Sequence, residues 1–115
     1  MADHAKKLLR IYTDEAATFG DRKVFEHIAS LARERHLAGV TVLEALLGFG
    51  HSAHMHRRHV LASDRSVVVE IVDDEDALRA FVGSLDGVPD IGLVTLEAVE
   101  VIGGTAMRGP STAKP

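Results

Sequence analysis

The sequence predicts an α+β fold in which two helices cover one face of a four-stranded antiparallel sheet. Three observations predict it. Segments of strand character and segments of helical period follow one another in the order β-α-β-β-α-β. The run Val67-Val68-Val69-Glu70-Ile71-Val72 is apolar almost throughout, as a strand covered on both faces requires. The chain has 115 residues, 46% hydrophobic and 26% charged, which is the size and make-up of one globular domain.

Each element has its own signal. Leu8-Leu9-Arg10-Ile11-Tyr12 puts Leu9 and Ile11 on one face of a first strand and Arg10 on the other. Thr18-Phe19-Gly20-Asp21 reads as a connection, with Asp21 as N-cap. Val24, Phe25, Ile28, Leu31 and Ala32 then recur at helical spacing, and Gly39 is a natural C′ residue to close that helix. Residues 40–47 form a second strand, broken by Gly48-Phe49-Gly50. After the valine-rich third strand, Asp73-Asp74-Glu75-Asp76 offers caps and acids to a helix N-terminus, which the macrodipole favours. Ala77, Leu78, Phe81, Val82 and Leu85 form the stripe of that second helix. Residues 93–101 form the last strand. There Val94 and Leu96 share one face and Val99 and Val101 the other, so a bulge near Ala98 is expected.

This order is the split unit of ferredoxin-like folds. Residues 6–102 make the domain, and the small, Gly/Pro-rich stretch 103–115 is expected to be a disordered tail. The sheet face away from the helices is left to solvent or a partner. Its Val and Leu content predicts an oligomer.

Composition removes several function classes. There is no cysteine, which excludes disulfides, thiolate metal sites and cysteine nucleophiles and fits a cytoplasmic protein. No apolar run approaches the roughly 20 residues that span a bilayer, and the first residues lack a signal-peptide pattern. A formal net charge of −4 argues against a nucleic-acid binder. Histidine is the anomaly. Seven are present, and His51, His54, His56 and His59 crowd one stretch beside Arg57 and Arg58. That stretch lies in a connection of about 48–66, far longer than a hairpin needs, and a long loop on a compact scaffold is a usual carrier of function.

Several blocks in order carry a family resemblance: Leu8-Leu9-Arg10-Ile11-Tyr12, Leu37-Ala38-Gly39-Val40-Thr41-Val42-Leu43, Gly48-Phe49-Gly50, Val69-Glu70-Ile71-Val72-Asp73 and Gly92-Leu93-Val94-Thr95-Leu96-Glu97. From about Lys6 to Ile102 the chain resembles the small PII-like proteins of domain-of-unknown-function family 190. The resemblance implies a homotrimer of ferredoxin-like, PII-like subunits that binds an adenine nucleotide or other anionic effector at a subunit cleft near the long loop. It also implies a regulatory rather than enzymatic role, with a protein target, a membrane transporter being one class. Two features depart from the family. Asp21-Arg22-Lys23-Val24-Phe25 stands where relatives commonly have a Gly-Lys-Pro-Leu-Tyr-like lead into the first helix, and the loop is unusually rich in His and Arg.

The loop admits three readings. As a phosphate site, Gly48 and Gly50 let the backbone approach an anion, Phe49 packs on a base, and His51, Arg57 and Arg58 contact phosphate. Histidine charge would add to this as pH falls through about 6.5. As a metal site, His51, His54, His56 and His59 supply imidazoles, but two arginines would repel the cation and no acid lies among them. As a solvated loop, it serves solubility or a protein partner without a small ligand. A hydrolase or lyase using loop histidines as acid and base is the enzymatic alternative. Elsewhere, Glu70, Glu44 and Arg10 are most simply cross-strand ion pairs, and His27 and His36 are helix-surface residues.

Overall fold

The structure, a computed structural model, describes residues 6–45 and 65–104. It is the α+β ferredoxin-like arrangement the sequence predicts. Strand β1 spans Lys6–Asp14, a small hairpin pairs β2 (Thr18–Phe19) with β3 (Arg22–Lys23), and helix α1 spans Val24–Glu34. Then come β4 (Thr41–Glu44), β5 (Ser66–Asp74), α2 (Glu75–Gly83) and β6 (Val94–Ala98). The main sheet is antiparallel in the order β4-β5-β1-β6. The valine-rich strand is interior, as its composition requires.

Alternation divides the sheet cleanly. Leu9, Ile11, Val67, Val69 and Ile71 point under the helices and are buried. Leu9, Ile11, Val69 and Ile71 meet Val24, Ile28 and Ala32 of α1 and Leu78, Phe81 and Leu85 in and beside α2 in one core. These helix residues recur every three or four positions, the spacing that gathers one apolar stripe. Burying a Phe or Leu side chain contributes about 1.5–3 kcal/mol.

Four local expectations are corrected. Asp21 does not cap α1: residues 18–23 fold back as the β2–β3 hairpin, closed at Gly20 with φ +67°. Lys23 takes the N-cap position and Glu26 reaches back to its N–H at 3.3 Å. Gly39 does not close the helix. His36 does, at φ +61°, with its N–H bonded to the Arg33 carbonyl and the Leu37 N–H bonded to the Ala32 carbonyl. That is a Schellman ending with a histidine where glycine is usual. The reversal comes early because Leu37 must pack on the core.

At α2, Asp74 occupies the N-cap position without a side-chain cap bond. Its carboxylate instead meets Lys6 at 2.8 Å. Asp73 accepts the Ala38 N–H at 2.8 Å, tying the α1–β4 connection to the end of β5. Glu75 and Asp76 are the acids of the first helical turn.

No bulge is needed at Ala98. Ala98 faces Lys7 in register, and the Val99 N–H bonds the Lys6 carbonyl at 3.4 Å, so the pairing continues in phase. Val94 and Leu96 lie on the helix face, while Val99 and Val101 fall by alternation on the opposite one. The irregularity sits at the other end, where Tyr12 bonds both the Gly92 N–H and the Leu93 carbonyl. Two residues there oppose one, as in a bulge.

Candidate functional site

The six residues singled out for ligand contact, Gly48, Phe49, Gly50, His51, Arg57 and Arg58, lie outside the described residues, as do His54, His56 and His59. The tail 105–115 does also. What the structure places is the ground from which residues 46–64 depart.

That ground is one end of the sheet. The Ala45 N–H bonds the Ser66 carbonyl at 2.8 Å, and the Glu15 N–H bonds the Arg65 carbonyl at 2.8 Å. Arg65 approaches Glu44 at 3.8 Å. The ends of β4 and β5 are thus fixed to each other and to the end of β1 immediately before and after the excursion. The Thr13 hydroxyl donates to the Asp90 carbonyl at 2.8 Å, which brings the 86–92 turn to the same rim. Two residues of that turn have positive φ, Gly87 at +91° and Asp90 at +61°. The β2–β3 hairpin completes the rim: Lys23 donates to the Glu15 carbonyl at 3.1 Å, and the Val24 N–H bonds the Ala17 carbonyl. The N-terminus of α1 therefore opens at this end too, where its dipole favours negative charge.

The rim gathers a helix start, a turn with positive-φ residues, and both ends of a segment carrying clustered Arg and His. Sequence reasoning found the segment but missed the 86–92 turn and Arg65. Gly87-Val88-Pro89-Asp90 reads as a mere helix stop, and the Thr13–Asp90 bond together with the Tyr12–Gly92 bond brings it to the loop root. Among the described residues no group of three or more His, Asp or Glu is placed to hold a metal ion. No helix among them is long and apolar enough to cross a membrane.

The second surface of note is the sheet face away from the helices. Its middle row is Thr41, Glu70, Arg10 and Thr95, each in register with the next. Arg10 donates from Nε to Glu70 at 3.0 Å and from Nη1 to Glu97 at 2.9 Å. These bonds and the two negative charges raise the Arg10 pKa against the opposing effect of desolvation. The cross-strand ion pair expected for Arg10 and Glu70 is present. Apolar rows flank it, Leu43-Val68-Tyr12 on one side and Val72-Leu8 on the other. Leu43 is 47% exposed.

The family model DUF190, Uncharacterized ACR, matches residues 6–101. The chain belongs to this family. This DUF190 chain is 40% identical over 99 residues to the UPF0166 protein of Aquifex aeolicus (strain VF5), covering 84% of this chain and 93% of that one. Among solved structures it is similar to CPII from Thiomonas intermedia K12 bound to ADP, AMP and acetate. There the TM-score is 0.62 and identity 18%, over 84% of this chain and 87% of that one. The same CPII bound to ADP and bicarbonate aligns at TM-score 0.61 and 19% identity, with the same coverage. A PII-like signalling protein from Thermus thermophilus aligns at TM-score 0.58 and 15% identity, over 84% of this chain and 89% of that one. The DUF190 fold of this chain is thus PII-like.

Proposed function

We propose that this protein is a PII-like regulator that binds an adenine nucleotide or similar phosphorylated effector at a subunit cleft beside residues 48–66. The observation that carries this reading is the likeness in fold to CPII, whose structures hold ADP and AMP. The rim described above adds chemical support. A helix N-terminus and a glycine-containing turn flank the roots of a segment that contributes Gly48, Phe49 and Gly50 as pocket wall and His51, Arg57 and Arg58 as phosphate contacts. The protein acts as a cytoplasmic homotrimer, its apolar sheet faces turned toward one another. It binds without turnover, and the bound ligand alters the surface shown to a protein target such as a membrane transporter.

The test is calorimetric titration of chelator-treated protein with ATP, ADP, AMP and cyclic AMP. Saturable micromolar binding with no product formed is expected. Arg57→Ala combined with Arg58→Ala should weaken it at least tenfold, each charge-assisted contact being worth about 1.5–3 kcal/mol. Silence with all four nucleotides overturns the nucleotide reading. An ion stripped by chelator, and retained no longer after His54→Ala, would move the site to metal chemistry.

A further inference from the structure

The turn between β1 and the small hairpin is held by a side chain whose place the helix alone does not explain. Lys23 stands at the N-cap of α1, where a side-chain acceptor is the usual choice and a cation gains nothing from the macrodipole. Its ammonium is turned back and donates to the Glu15 carbonyl at 3.1 Å and to Glu15 Oε2 at 3.4 Å. The next N–H along the chain, that of Ala16, donates to Oδ1 of the buried Asp14 at 2.9 Å. The peptide group between Glu15 and Ala16 is therefore pinned at both ends, its oxygen by Lys23 and its N–H by Asp14. Hydrogen bonds in which one partner is an ion are the stronger kind.

The setting of that peptide group reaches the long connection. The Glu15 N–H donates to the Arg65 carbonyl at 2.8 Å, and Arg65 approaches Glu44 at 3.8 Å. Glu15 thus meets Lys23 through its carbonyl and the returning root of the connection through its N–H. The hairpin that carries Lys23 is itself seated on α1, because the Phe19 ring meets His27 edge-on with centroids 4.8 Å apart. Helix, hairpin, turn and loop root form one series of contacts, with the Lys23 side chain as the link from hairpin to turn.

We propose that Lys23 is a positioning residue for the effector site: by fixing Glu15 it sets the returning root at Arg65. The proposal rests on the nucleotide reading given above and adds to it a residue away from the ligand that governs affinity.

Calorimetric titration of the full chain with ADP, paired with hydrogen–deuterium exchange of individual amides, tests it on wild type, Lys23→Met and Lys23→Arg. Lys23→Met keeps the stem and loses the ammonium. It is expected to fold with an unchanged urea midpoint, since a half-exposed ionic contact contributes little to global stability. Its ADP affinity should fall about fivefold as the competent arrangement becomes a minority. Exchange at the Glu15 amide should quicken about tenfold, with Leu9 and Ile11 unaffected. Lys23→Arg keeps a cation of similar reach and should recover most of both losses. Weakened binding with the Glu15 amide still protected would overturn the proposal and place Lys23 on the ligand itself. A lowered urea midpoint would also overturn it, since Lys23 would then serve the fold as a whole. Unchanged affinity in Lys23→Met would overturn it and leave the nucleotide reading standing. A wild type silent with ADP would overturn both.

Discussion

His36 holds a left-handed conformation that costs a non-glycine residue roughly 1–2 kcal/mol. It is exposed and closes α1 through backbone bonds alone, so its side chain contributes nothing to the ending. His36→Gly should therefore raise stability by about 1 kcal/mol, read as a shift in the urea midpoint without a change in slope. Asp73 is the opposite case. Its carboxylate receives the Ala38 N–H at 2.8 Å and the Asp74 N–H at 2.7 Å. Asp73→Ala removes both acceptors and should destabilise by about 1–2 kcal/mol, with Asp73→Asn recovering part of the loss. Glu75 is held below the ordinary glutamate range, first by its hydrogen bond from Arg79 and then by the charges of Arg79 and Lys7, against desolvation. A depressed folded pKa contributes stability above the unfolded value, and that contribution disappears as pH falls through the folded one. The stability difference between wild type and Glu75→Gln should accordingly be present at neutral pH and vanish on acidification.

At the scale of elements, β5 and α2 hold the core together. Phe81 is 1% exposed and packs among Leu9, Ile71 and Leu78, so Phe81→Ala should cost about 3–5 kcal/mol by denaturant unfolding. Element type and order were legible because period and β-branching are direct consequences of which face is buried. The limits of the elements were less so, since they depend on partners distant in sequence. Asp21 is a good cap in isolation, yet Thr18 and Phe19 find Lys23 and Arg22 across a two-residue turn and take the chain back before the helix can begin. The apparent change of phase in the last strand illustrates the same point. It suggests a bulge only if one face is assumed to be apolar, and here Val99 and Val101 serve the second face. Of the candidate site, the sequence showed the charged segment directly through composition. It could not show that the 86–92 turn joins the rim, because bonds from Thr13 and Tyr12 to residues distant in sequence make that link.

At the scale of the whole molecule, described residues at the base of the long connection hold β4 on β5. The backbone bond from Ala45 to Ser66 and four registered residue pairs set the alignment. Hairpins usually take their register from the turn; here the described residues at the base are already in register. Replacing residues 46–65 with a two-residue Asn-Gly turn, which keeps Ala45 opposite Ser66, should therefore leave a folded protein, more stable by on the order of 1–2 kcal/mol from the shorter closure. The same replacement should abolish nucleotide binding in the titrations above. A scaffold that survives this replacement can exchange its longest connection as a cassette. Grafting the corresponding segment of a relative between Ala45 and Arg65 should carry the relative's ligand preference with it and leave the melting of the host sheet unchanged.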